Sequence, residues 1–164
     1  MRAIAITRPS RQLLAVTATL ILATTMIVAS PQIARSASKA RIYAAYYDPN
    51  TAGPDPDTNA GRNSEYIVIR NYSTVRVRMR GWILHDVPRL GTVNRFVFPR
   101  FVLRPGKLVR IHTGIGTNTR TDLYWGKTTY VWGDDSDTAT LQNRAGTIMS
   151  ACSWTSTSTS PKYC

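Results

Sequence analysis

The sequence predicts an all-β fold, a sandwich or barrel, and three observations carry that prediction. Val75, Val77 and Met79 alternate with Arg76, Arg78 and Arg80, the period of two that a half-buried strand shows. From residue 41 onward, short apolar runs recur with Gly, Pro, Asn or Asp between them, which is how brief strands joined by turns read in sequence. No segment sustains the 3.6-residue apolar period of a packed helix. At 164 residues the chain is short for more than one ordinary domain.

The N-terminus stands apart from this pattern. Arg2, Arg8 and Arg11 precede an uncharged, apolar stretch over 12–34, and small residues follow at Ser36, Ser38 and Ala40. This is the order of a secretory signal peptide. Residues 1–38 are therefore read as a signal peptide and processing region, with cleavage somewhere in 36–40. A retained anchor is the structural rival, because the stretch approaches the ~20 residues that span a bilayer. After cleavage no stable transmembrane segment is expected, and the protein is expected to be secreted or extracellular, in association with the cell envelope. Of the 21 Lys and Arg residues, five lie in 1–40 and no acid does, so the formal charge falls from +12 for the whole chain to +7 for the remainder.

The expected strands follow in order. Residues 41–47 form a Tyr-rich strand, and a polar Pro/Asp/Gly/Asn loop occupies 48–63. Strands follow at 66–70 and 75–80, where Val75, Val77 and Met79 are expected to turn inward. Gly81 separates the second of these from 82–85. Further strands are predicted at 95–98, 101–103, 108–112, 130–132, 138–141 and 147–152, divided by Pro99, Pro105-Gly106, the 113–118 loop, Gly133-Asp134-Asp135 and the 143–146 turn. The two cysteines, Cys152 and Cys164, bracket a Ser/Thr-rich tail over 155–164. In an oxidising compartment they are expected to form one disulfide that pins that tail.

Several strings exceed generic β patterning. Glu65-Tyr66-Ile67-Val68-Ile69, Arg80-Gly81-Trp82-Ile83-Leu84-His85-Asp86, Phe96 to Phe98 with Pro99, and Leu103-Arg104-Pro105-Gly106 occur in an order that resembles the lamin tail domain. The 112–118 string, Thr121-Asp122-Leu123-Tyr124-Trp125-Gly126, Val131-Trp132 and 137–141 look like the secreted branch of that family found in actinobacteria. The resemblance covers 39–154. It implies an immunoglobulin-like β-sandwich that acts as a binding or tethering module, and the family offers no catalytic motif to carry over.

The residues themselves agree with a binding module. His85 and His112 fall on predicted strands, Glu65 is the sole glutamate, and no G-x-S-x-G elbow is present, so no enzyme is expected. Gly114 and Gly116 are not followed by a GKS/T string, which removes a P-loop; they are expected to take positive φ in a turn. Asp134, Asp135 and Asp137 form an acid cluster that could offer oxygens to calcium, but they lack the glycine and distal glutamate of an EF-hand loop. No metal or cofactor is assigned.

Two ligand classes remain. Arg76, Arg78 and Arg80 are expected to project from one strand face, widened by Arg70, Arg89, Arg95, Arg100, Arg104 and Arg110, and to hold a polyanion such as nucleic acid or an anionic envelope polymer. The alternative is an envelope structural or adhesion protein that recognises a glycan or protein through Tyr124 and Trp125, beside the Gly-rich loop. Trp82, Trp132 and Trp154 are expected to pack in the core. The oligomeric state is not fixed by the sequence.

Overall fold

In the computed structural model, eleven strands and one short helix are formed among the described residues, which are 39–48, 55–87 and 93–164. These fall within one compact unit spanning 34–164. The export-signal reading of 1–38 and the position of Arg89 lie outside the described residues.

The larger sheet has the order β11-β1-β2-β7-β8. Its strands are β1 (Ala40–Tyr46), β2 (Tyr66–Asn71), β7 (Leu108–His112), β8 (Asp122–Tyr124) and β11 (Lys162–Tyr163). All its pairings are antiparallel except β7 with β8. The second sheet has the order β10-β9-β4-β5, from β4 (Ile83–His85), β5 (Arg95–Val97), β9 (Asp137–Gln142) and β10 (Ile148–Trp154). A separate ribbon pairs β3 (Val77–Arg78) with β6 (Val102–Leu103).

Alternation decides which residues meet between the sheets. Ile67, Ile69, Val109, Ile111 and Leu123 point inward from the larger sheet and are buried, as are Leu84, Phe96, Ala139 and Leu141 from the smaller one. The strand positions between the larger sheet's core residues face outward, among them Tyr66, Val68, Leu108, Arg110 and His112. Within the core, aromatic rings form a continuous chain. Tyr47 stacks on Trp154 at 4.6 Å, and Trp154, Trp132, Trp125 and Phe96 follow in edge-to-face contacts at 5.8–5.9 Å. Trp82, Trp132 and Trp154 thus have the packing role expected of them.

The structure departs from the sequence reading in several places, among them β8, which the sequence does not predict, and the 75–80 strand, which shortens to β3. Residues 130–132 are not a strand. The amides of Val131 and Trp132 donate instead to the carboxylate of Glu65, at 3.2 and 2.7 Å, so they take no place in a ladder. A six-residue helix, α1 (Asn59–Ser64), interrupts the 48–63 loop, with the Thr58 hydroxyl accepting from the Gly61 amide as its N-cap. The tail is tied by the disulfide as expected, but it also forms a strand. Its β11 joins the edge of β1, the Cys164 amide donates to the Tyr43 carbonyl, and the Cys152–Cys164 disulfide joins this edge to β10 of the other sheet. Finally, Val75 does not turn inward but is 47% exposed, whereas Val77 and Met79 are buried.

Among the described residues no helix is long and apolar enough to cross a membrane.

Candidate functional site

The three arginines of the 75–80 segment are all exposed, but only Val77 and Arg78 belong to a ladder. Arg80 sits in the turn closed by the Trp82 amide on the Met79 carbonyl, with Gly81 at φ 76°. The single stripe expected of Arg76, Arg78 and Arg80 is therefore divided. Arg76 lines a groove of about 860 Å³, and neither Arg78 nor Arg80 does.

That groove gathers bases remote from one another in sequence. Arg76, Arg100 and Arg104 come from the β3–β6 ribbon and its flanks, Lys107 from the turn that leads into β7, Arg110 from β7 and Arg120 from the loop before β8. No carboxylate lines it among the described residues. Arg110 is held by Asp122 at 3.2 Å, and it is the only one of the six with an ion pair among the described residues. Extending the Val77–Leu103 register by one residue sets Arg76 across from Arg104. Like charges facing each other across a strand pair are destabilising, and an anion between them would relieve that repulsion. Of the other arginines, Arg41 and Arg70 lie over the Tyr72 ring, at 4.8 and 5.1 Å.

The floor of the groove is the outer face of the larger sheet, with Tyr43, Tyr46, Tyr66, Val68 and Leu108. Register places Tyr46, Tyr66, His112 and Tyr124 in one row across β1, β2, β7 and β8. Tyr46 and Tyr66 stack on each other at 4.3 Å, and His112 stacks on Tyr124 at 4.9 Å. Each stack covers one face of each of its rings.

The same packing changes the reading of Tyr124 and Trp125. Both are half-buried rather than free for contact. Trp125 packs against the core beside Phe96 and Trp132. Tyr124 lies on Gly116, where a Cβ would meet its ring at 2.4 Å. Gly114 is likewise crowded by the side chains of Asn63 and Asn59. Neither glycine has positive φ, so both are required for close approach.

The polar groups near the row are already partnered. The His112 ring nitrogens lie 2.6 Å from the Asn63 carbonyl and 3.1 Å from the Asp122 carboxylate. Burial alone would raise the Asp122 pKa, but hydrogen bonds from Thr121, His112 and Arg110 and the Arg110 charge outweigh it and hold the carboxyl below its ordinary range. Glu65, fully buried, is pushed up to about 8 by burial, against the pull of the Thr113 hydroxyl and the two backbone amides. Its role was not legible in the sequence, since its partners are 66 and 67 residues away.

The acid cluster is not assembled either. Asp137 is buried, and its carboxylate accepts from the amides of Val87, Gly133 and Thr138, while Asp134 and Asp135 are exposed. Among the described residues no three side chains of metal-ligating type converge.

No curated protein matches the chain. A family model described as Lamin Tail Domain matches residues 34–156. That span includes β1 to β10, all of both sheets but the edge strand β11, and every residue lining the groove, and the chain belongs to the lamin tail domain family.

Proposed function

We propose that this lamin tail domain is a secreted, non-catalytic binding module that holds a polyanion, extracellular nucleic acid or an anionic envelope polymer, in the groove between the β3–β6 ribbon and the outer sheet face. The observation that carries the reading is the gathering of Arg76, Arg100, Arg104, Lys107, Arg110 and Arg120 around one concavity with no acid in its lining. Of these cations only Arg110 is ion-paired among the described residues, and cations that converge in such excess raise the local concentration of anions. The stack of Tyr46 on Tyr66 takes up one face of each ring, and recognition is assigned to the anionic backbone on which the six cations converge. The adhesion alternative, which relied on Tyr124 and Trp125 as contact residues, has less support because both are packed.

The test is a salt series on the purified full chain with duplex DNA and with a glycerol-phosphate polymer. An Arg100/Arg104/Lys107→Ala variant is expected to lose affinity and to flatten the salt dependence, because each lost phosphate contact removes about one unit from the slope of log K against log salt. An Arg78/Arg80→Ala variant, with two charges removed outside the groove, is expected to bind nearly as wild type does. Equal binding by wild type and the groove variant would end the reading.

A further inference from the structure

We infer that the groove takes an anionic amphiphile, with a phosphate group set among its cations and an acyl chain laid along its apolar floor. The inference rests on the anion-binding reading above and narrows its ligand class.

Cations alone do not account for this groove. Val102 and Leu108, both in its lining, are 46% and 41% exposed, and the half-buried Tyr43 lines it too. Open apolar surface within a concavity marks a place where something apolar binds. A hydrated phosphodiester backbone gains nothing from it. Aromatic residues in a basic groove commonly stack on nucleobases, but here Tyr46 and Tyr66 stack on each other at 4.3 Å, which takes up one face of each ring. The groove therefore presents tyrosine side chains, Leu108 and Val102, which suit an aliphatic chain.

The cations are placed to match. Arg76, Arg100 and Arg104 lie on the ribbon side, and Arg110 and Arg120 come from β7 and the loop before β8, so a headgroup set among them leaves its chain to the exposed side chains of Leu108 and Val102. The volume of about 860 Å³ falls within the roughly 300–1,000 Å³ of small-ligand sites. Two sources share this chemistry, a membrane phospholipid and a lipid-anchored glycerol-phosphate polymer.

The test is calorimetric titration of the full chain with inorganic phosphate and with hexyl, octyl and decyl phosphate below their micelle concentrations. Affinity is expected to rise with chain length, by up to roughly fourfold per methylene removed from water. A Val102→Ser/Leu108→Ser variant is expected to lose that dependence while it still binds the glycerol-phosphate polymer. Binding to phosphatidylglycerol vesicles, compared with an acylated and a deacylated glycerol-phosphate polymer, identifies the source. If alkyl phosphates of all lengths bind no better than inorganic phosphate while the polymer still binds, or if the Ser variant keeps the full chain-length dependence, the acyl-chain inference is overturned and the polyanion reading survives. If neither alkyl phosphates nor the polymer binds, both fail.

Discussion

Glu65 shows at the residue scale how a buried group couples the fold to pH. The folded protein holds its carboxyl proton up to about pH 8, well above the ordinary value of 4.5, so the native state binds a proton that the unfolded chain releases. The stabilisation from that proton is complete below about pH 4.5 and is lost as pH rises through about 8. Denaturant midpoints of wild type are therefore expected to fall across this window, and those of Glu65→Gln to fall less; parallel curves would contradict the account. A second residue-scale prediction concerns Gly116. Its replacement by Ala forces a shift of the Tyr124 ring that stacks on His112 and is expected to cost about 1–3 kcal/mol in chemical denaturation, as overpacking does. The sequence marked 113–118 as a glycine loop but misjudged why. A ring that crowds a backbone from β8 leaves no local signature in the loop itself.

Elements divide into those with their own pattern and those made by their neighbours. β7 alternates over its five residues, β1 and β2 are apolar-rich runs of seven and six, and the three pair at length, so the sequence places them to within a residue or two. The two residues of β11 pair because Cys152–Cys164 and the Cys164 amide hold them against β1, and β8 forms because Arg110, Ile111 and His112 present a parallel edge to it. Neither has enough residues to show a period. α1 is short, and its Thr58 cap is the one sequence signal that could have found it. The disulfide closes a loop of sequence separation 12, for which chain entropy gives about 3 kcal/mol. A Cys152→Ser/Cys164→Ser variant is expected to lose roughly that stability, and amide exchange should accelerate first at Lys162 and Tyr163. Unchanged protection there would show that β11 does not depend on the bond.

At the scale of the whole molecule, charge count and charge placement separate. The formal charge of +12 was readable from the first line of sequence, and so were Arg100, Arg104 and Arg110 as members of a wider basic surface. That Arg76 joins them while Arg78 and Arg80 do not was unreadable, because it depends on the order of strands in the sheets and on the turn at Gly81. The groove is a product of topology, in which β6, β7 and the loop before β8 bring together bases up to 44 positions apart, from Arg76 to Arg120. The most direct measurement of this account is a residue-resolved amide-shift titration of the protein with a short glycerol-phosphate polymer. The predicted result is a contiguous set of shifts over Tyr43, Tyr66, Val68, Arg104, Lys107, Leu108 and Arg110, with Arg78 and Arg80 little changed. Shifts centred on Arg78 and Arg80, or spread evenly over every exposed base, would contradict it.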